Sequence, residues 1–294
     1  MKMKYINKIQ ANLRVCNTVY TDKITRMILD GSYHSVYKGR SMNFDELREY
    51  VPGDDIKDMD WKASARSQKL LVKQYVAEKK HNILFVFDTN KRMLADTSKG
   101  CEKRETALMA AGTLAYLINR NGDFVSSIFS DSIRIKRFAF KTGLANIENI
   151  LIECEHAVSR ENTSDLNNAL EYITRNYKRS MILVIITDME GVNTIAETTL
   201  KKLLVLHDVL LINVSDADTF GTDVFDVTNE RYLPDFFTRD KKLLKMENER
   251  RLKIMENGTA KLKKLGISYE TVDEASGVDI KIMELLNKHK EERK

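Results

Sequence analysis

The stretch FVFDTNKRM, residues 85–93, decides how the rest of the chain is read. With Ile83 and Leu84 ahead of it, the segment opens as a continuous apolar run. That is the pattern of a strand buried on both faces, not the alternation of a half-exposed one. The run delivers Asp88 to its carboxyl end, and the polar residues that follow turn cationic at Lys91 and Arg92. An acid at a strand end is a common place to hold a metal or to begin chemistry. A fixed positive charge four residues further on competes with any such metal, and that conflict needs a physical answer.

Working outward, two more runs of the same kind follow: MILVIITD (181–188) and VLLINVSD (209–216). Between the first two lie KRETALMAAGTLAYLINR (103–120), with Leu108, Ala111, Ala115 and Ile118 at helical spacing, and the stop signal NGD. DFVSSIFSD and IRIKRFAF are expected to be strands joined by a tight turn around Ser132. LANIENILIECEHAV (144–158) and SDLNNALEYITRNY (164–177) are expected to be helices, the second with Ser164 as its N-cap. A helix over roughly 194–206, a long charged helix over 235–265 ending at Gly266, the strand ISYETVD and a helix over 277–291 complete the carboxyl-terminal part. Upstream, 8–30 reads as a helix closing near Gly31, 31–69 as polar and irregular, and LLVKQYV (70–76) as a strand.

Strands separated by helical crossovers imply parallel pairing in an α/β, doubly wound, mostly parallel sheet, preceded by a helical and irregular amino-terminal segment. Two units are expected, 1–80 and 81–294. In such sheets ligands sit in the crevice outside the carboxyl ends of the strands. Asp88 and Asp188 each follow a central apolar strand, so both should face one crevice.

Composition bounds the alternatives. The 294 residues are 43% hydrophobic and 31% charged, the balance of a globular protein able to bury a sizeable core. No apolar run approaches the ~20 residues needed to span a bilayer. The start, MKMKYINKIQANLRV, lacks the apolar stretch of a secretion signal, so a cytoplasmic location without membrane association is expected. Cys16, Cys101 and Cys154 are scattered and odd in number, which argues against a disulfide framework or a zinc site. Residues 1–80 hold 16 Lys+Arg against 10 Asp+Glu, and the remainder 32 against 33. That excess could attract an acidic partner or nucleic acid. No reader motif accompanies the charge, so nucleic acid is the disfavoured partner.

The enzyme readings are weaker. A haloacid-dehalogenase-type phosphohydrolase needs a second carboxylate two residues after the first, as proton donor, and position 90 is Asn. DTNKRM contains no glycine to bring backbone amides to a phosphate. The five histidines show no metal-ligand pairing. The enzyme alternative is a metal-dependent phosphoester or nucleic-acid hydrolase using the acids of 54–60 or the pair Asp88/Asp188.

The arrangement Asp88-x-Asn90-x-Arg92-Met93, then Thr163 in ENTSDLNNAL, then Asp188 in LVIITDME resembles the metal-ion-dependent adhesion site of von Willebrand factor A domains. The resemblance implies a sheet of that Rossmann-like kind and a metal set of Asp88, Asn90, Thr163 and Asp188. It implies oxygen ligands for a hard cation, Mg²⁺ or Mn²⁺, with an open position for an acidic side chain of a partner protein.

The segment GSYHSVYKGRSMNFDELREYVPGDDIKDMDWKASARSQKLLVKQY (31–75) is more specific. Gly39, Phe44, Arg48-Glu49-Tyr50, Pro52-Gly53-Asp54-Asp55, Asp60-Trp61, Ser64-Ala65-Arg66 and Leu71-Val72-Lys73 resemble the hallmark of the bacterial "domain of unknown function 58" family. That resemblance implies a non-enzymatic adaptor working with a MoxR-type AAA+ ATPase and client proteins in complex assembly or stress response. Within the segment, Arg48, Asp54, Asp55, Asp60, Trp61 and Arg66 form either a docking surface or second ion site, or an internal network with Trp61 packed beneath. The internal network is the preferred reading. Oligomeric state is left open.

Arg92 departs most from the adhesion pattern. Its guanidinium stays protonated and offers no lone pair. Unit charges ~4 Å apart interact by ~4 kcal/mol at an effective dielectric of 20, and a divalent ion would feel about twice that repulsion. Either Arg92 swings out and leaves a weak Mg²⁺ or Mn²⁺ site, or it turns in and neutralises Asp88 and Asp188 itself. The second is the preferred expectation, with no cofactor required.

Overall fold

The computed structural model describes residues 3–15, 42–77, 80–130, 134–163, 165–217, 225–226, 231–232 and 241–292. The chain divides into two compact units, one of Tyr33–Lys80 and one of Met1–Ser32 with His81–Lys294. The sequence division at residue 80 groups the first helix with the signature segment; the structure packs that helix against the sheet unit.

In the larger unit, β3 (Asn82–Phe87), β4 (Phe124–Ser130), β5 (Ile135–Arg137), β6 (Ile182–Thr187), β7 (Asp208–Val214) and β10 (Ser268–Val272) form a six-stranded sheet. Its order is β10-β7-β6-β3-β4-β5, parallel except for β5. From β3 the chain goes out to β4 and β5, then returns to lay β6 on the other side of β3. The strand order therefore reverses between β3 and β6, and the crevice of such a sheet opens there. Every residue of β6 and β7 is buried, as expected of central strands covered on both faces.

The two faces are read from alternate residues. Leu84, Val86, Leu183, Ile185, Val209 and Leu211 join one core cluster with helices α5 (Leu166–Asn176), α6 (Met189–Thr194), α7 (Glu197–Leu206) and α8 (Lys241–Leu265). The other face meets α3 (Lys103–Arg120), which packs with α4 (Leu144–Ala157), α9 (Val278–Glu292) and α1 (Lys4–Val15). Helix α1 buries Tyr5, Ile6, Ile9 and Leu13, one stripe of its surface. It reaches α3 at Gly112, where a Cβ would stand 2.5 Å from Ile9 Cδ1 and 2.9 Å from Leu151 Cδ1. The fully buried Glu148 of α4 accepts the backbone amides of Lys4 (2.6 Å), Tyr5 (3.0 Å) and Ile6 (2.9 Å), capping α1 with a negative charge.

In the smaller unit, β1 (Met42–Glu49) pairs antiparallel with β2 (Leu71–Ala77), interrupted by a bulge between Phe44 and Glu46. A 3₁₀ turn over Ile56–Asp58 and helix α2 (Trp61–Ser67) lie between them. The strands β8 (Phe225–Asp226) and β9 (Arg231–Tyr232) form a separate two-residue antiparallel ladder.

Several expectations change. The first helix begins at Lys4, and 16–30 lies outside the described residues, as do 31–41, the turn around Ser132, Ser164 and 235–240. The part of 31–69 expected to be irregular contains β1 and α2. MNFDELRE is too polar to read as a strand, and the ladder to β2 makes it one. Among the described residues of IRIKRFAF, 135–137 are strand. The helix expected over roughly 194–206 runs over Glu197–Leu206, and a first, shorter helix that is not expected, Met189–Thr194, precedes it across Ile195–Ala196. Lys261 Nζ caps the first by donating to the carbonyls of Val192, Asn193 and Ile195. Asp165, not Ser164, caps α5, accepting the Asn167 amide at 2.9 Å.

Candidate functional site

Asp88 leaves β3 and Asp188 leaves β6, on neighbouring strands, and the Asp88 amide donates to the Ile186 carbonyl at 2.9 Å. Both carboxylates are buried. Asn90 shapes the loop beyond β3: its Oδ1 accepts the Arg92 amide (3.1 Å), starting a 3₁₀ turn over Lys91–Leu94 that folds Arg92 back over the strand ends. Arg92 Nη2 lies 3.0 Å from Asp88 Oδ2, and Nε lies 3.5 Å from Asp188 Oδ2. The guanidinium is turned inward.

A second cation completes the network. Lys103, the first residue of α3, is buried to 1% exposure and donates to Asp188 Oδ2 at 2.9 Å and to Asp216, beyond β7. Thr187 donates its hydroxyl to Asp88 Oδ2 at 2.6 Å. The remaining oxygens accept backbone amides: Asp88 Oδ1 from Asn90 (3.0 Å) and Asp188 Oδ1 from Gly191 (2.7 Å), which caps α6. All four carboxylate oxygens are thus engaged by donors of the chain itself. Gly191 is required by the closeness of the layers. A Cβ there would lie 2.0 Å from Thr187 Oγ1 and 2.7 Å from Asp88 Oδ2.

The two acids are not equivalent. Burial alone would raise Asp188, but Lys103 and then Arg92 override it and hold its carboxyl below the usual carboxylate range. Burial pushes Asp88 above that range, with the charge of Asp188 adding to it, and Arg92, the Thr187 hydroxyl and the Asn90 amide offset this only in part. Lys103 is raised in spite of its burial, held charged by Asp188 and Asp216.

The loop after α4 also reaches this site. The Asn162 carbonyl accepts the Lys91 amide (2.8 Å), and the buried Asn162 Nδ2 donates to Thr89 Oγ1 (3.2 Å). Thr163 is the next residue and is exposed. The site therefore joins Asp88, Asn90, Arg92 and Asp188, with the Thr163 loop tied alongside.

Asp88, Asn90, Thr163 and Asp188 are poorly disposed to hold a hard divalent ion in this arrangement. Such an ion needs oxygen ligands at about 2.0–2.6 Å, and the carboxylate oxygens that would supply them face a guanidinium and an ammonium. Among the described residues, no group of three or more His, Cys, Asp or Glu could hold a metal.

Lys103, Asp216, Thr187, Gly191 and Asn162 do not stand out in the sequence. Lys103 carries one signal: a cation in the first turn of a helix opposes the helix dipole, so a carboxylate is expected nearby to offset it.

The signature residues divide into two kinds. Arg48 and Asp54 form a bidentate pair (2.8 and 2.6 Å), and Asp54 also accepts the Val51 amide. Asp55 accepts the Lys57 amide, and Asp60 caps α2 through the Lys62 and Ala63 amides with Lys73 Nζ at 3.6 Å. These acids belong to an internal network. Trp61, expected to pack beneath it, is instead 61% exposed, and Arg66 is exposed too. As the N1 residue of a short surface helix, Trp61 has no layer of the unit behind which to hide.

Fold and site define an α/β protein with a mostly parallel six-stranded sheet, its switch-point crevice filled by two buried carboxylates and two cations. The chain belongs to the family described as protein of unknown function DUF58, whose model matches residues 46–220. It is similar to an uncharacterized protein of Mycobacterium tuberculosis and to one of Mycobacterium bovis. Each is 28% identical over 224 residues, 75% of this chain and 69% of the relative. Among solved structures it is similar to the conserved hypothetical protein BatB of Bacteroides thetaiotaomicron, with a TM-score of 0.45 and 16% identity over 71% of this chain and 98% of that one. It is also similar to the pilus adhesin SpaC of Lactobacillus rhamnosus, with a TM-score of 0.41 and 12% identity over 73% of this chain and 30% of the adhesin.

Proposed function

We propose that this chain is a non-enzymatic protein-interaction module whose sheet unit is of the von Willebrand factor A kind, its adhesion-type site converted from an ion-binding to an ion-paired form. The observation that carries the reading is the inward Arg92, which together with Lys103 takes the place beside Asp88 and Asp188 that a divalent ion would need. A hydrolase would need a carboxylate free to attack or to move a proton. Here both acids are committed to cations, a hydroxyl and backbone amides. What the crevice offers instead is a rigid rim, built from Asn90, Arg92 and the Thr163 loop, on which a protein surface can dock.

By the family resemblance of the 31–75 segment, the partner is a MoxR-type AAA+ ATPase together with its clients, met in the cytoplasm as an adaptor. No helix among the described residues is long and apolar enough to cross a membrane. The test is co-purification from the native host with and without ATP. Recovery of an AAA+ ATPase with the wild-type chain, reduced at least ten-fold by a charge introduced at the exposed Thr163, supports the adaptor. Phosphatase or nuclease turnover with added Mn²⁺, abolished by Asp88→Asn, refutes it.

A further inference from the structure

The smaller unit carries an apolar surface that its own fold leaves open. Val51, Ile56, Trp61 and Leu70 each keep more than half of their surface exposed, at 57, 64, 61 and 51%. Backbone bonds hold these positions on adjoining stretches. The Tyr50 amide donates to the Leu70 carbonyl and the Asp60 amide to the Leu71 carbonyl, each at 2.9 Å. Ile56 opens the 3₁₀ turn that ends at Met59, which bridges to Val72. Single exposed apolar side chains need no explanation, but a grouped set on one small unit marks an interaction surface.

Charge identifies the occupant. Residues 61–73, WKASARSQKLLVK, hold four cations and no acid. Lys69 pairs with Glu49 and Lys73 with Asp60, while the exposed Lys62 and Arg66, one turn apart on α2, have no ionic partner among the described residues. Of the nearby acids, Asp54 is paired with Arg48 and Asp60 with Lys73, while the exposed Asp55 accepts the Lys57 amide and keeps its charge. Asp58 and Lys57 offset each other in charge.

We infer that Trp61, with Ile56, Val51 and Leu70 around it, forms a docking face for an acidic protein segment bearing an apolar anchor. The anchor buries against the indole, and the segment's carboxylates meet Lys62 and Arg66. Tryptophan and arginine are the side chains that most often dominate interfaces when desolvated. A single strand of nucleic acid could also stack on an indole, but it wants successive aromatic platforms and a track of cations. Three of the four side chains here are aliphatic. The inference rests on this unit alone and stands or falls apart from the crevice.

Trp61 is the only tryptophan of the chain, so its fluorescence reports this face directly. The full chain is titrated with a helical Glu/Leu peptide, its Lys/Leu counterpart and a twenty-nucleotide oligothymidylate. The Glu/Leu peptide should shift Trp61 emission to the blue, protect it from acrylamide, and bind at least ten-fold tighter than the Lys/Leu peptide. Lys62→Glu with Arg66→Glu should reverse that order while leaving the thermal melt unchanged. Equal affinity for the two peptides, no response to the acidic one, or tighter binding of the oligonucleotide would overturn the assignment.

Discussion

Arg92 and Asp88 stand four residues apart in the chain and 3.0 Å apart in space, guanidinium Nη2 to carboxylate Oδ2, with the acid buried and the arginine nearly so. Removing one partner of a buried pair leaves an uncompensated charge and costs about 3–5 kcal/mol. Arg92→Ala should therefore lower unfolding stability by that order in urea denaturation. Adding Asp88→Asn to Arg92→Ala should recover a large part of the loss, because the stranded charge disappears with its partner. A single-variant loss below about 1 kcal/mol, the range of exposed pairs, would mean that the guanidinium lies out in solvent.

The same geometry predicts how the site meets divalent ions. Titration of the wild-type protein with Mg²⁺ or Mn²⁺ should give no saturable heat in the micromolar range. Micromolar binding that is abolished by Asp188→Ala would show that the cations yield to a metal, and the ion-paired reading would fail.

How much of this was legible in the sequence follows from what each signal measures. Continuous apolar runs report burial on two faces, so β3, β6 and β7 could be read directly, and helical spacing marked α3, α4, α5 and α7 but not the short α6. Strand β1 could not, because MNFDELRE reads as polar and its ladder to β2 is a pairing between distant stretches that no local pattern announces. At the site, Asp88 and Asp188 were legible because both follow buried strands that the topology makes neighbours. Lys103 was not, since a lone lysine opening a helix normally points to solvent, and only the fold reveals the acid opposite it. Trp61 misleads in the other direction: an indole suggests burial, and the unit has no layer to bury it.

Acid stability should fall in two separate windows. Burial holds His207 down to about 4, against about 6.5 in the unfolded chain, and its Nδ1 has no hydrogen-bond partner among the described residues. Below about 6.5 the unfolded chain takes a proton that the folded chain refuses until about 4, so stability drops across that interval and this contribution then levels off. At about 1.4 kcal/mol per pH unit, the loss is up to roughly 3 kcal/mol. Asp188, held low by Lys103 and Arg92, contributes stability above the unfolded carboxylate range that is lost only as pH falls further, through its folded value. Urea midpoints should show the first limb between about pH 6.5 and 4, and the second only below the usual carboxylate range. His207→Leu should flatten the first and spare the second.

Gly191 tests the packing of the site without removing a charge. An alanine Cβ at this position would meet Thr187 Oγ1 at 2.0 Å and Asp88 Oδ2 at 2.7 Å. Neither atom can retreat without giving up its hydrogen bond. Gly191→Ala should cost more than the usual 1–3 kcal/mol of core overpacking, whereas alanine at the exposed Thr198 should be near neutral. Comparable midpoints for the two variants would show that the site is looser than its distances imply.

Glu148 offers a test of how α1 is tied to the sheet unit. Its carboxylate is fully buried on α4 and accepts the amides of Lys4, Tyr5 and Ile6, so one side chain satisfies three of the four donors that a helix start leaves open. Glutamine in its place keeps the shape, but it loses the charge that favours a helix amino terminus and turns one acceptor into a donor facing another donor. Hydrogen bonds to a charged group are worth about 1.5–3 kcal/mol each, and a buried donor left unsatisfied costs a similar amount. Glu148→Gln should therefore release α1 locally before the sheet is affected. Amide exchange at Tyr5 and Ile6 should accelerate by two orders of magnitude or more, while the amides of β6 keep their protection. If all of these amides lose protection together, α1 is part of the cooperative core and not an element clamped on by its cap.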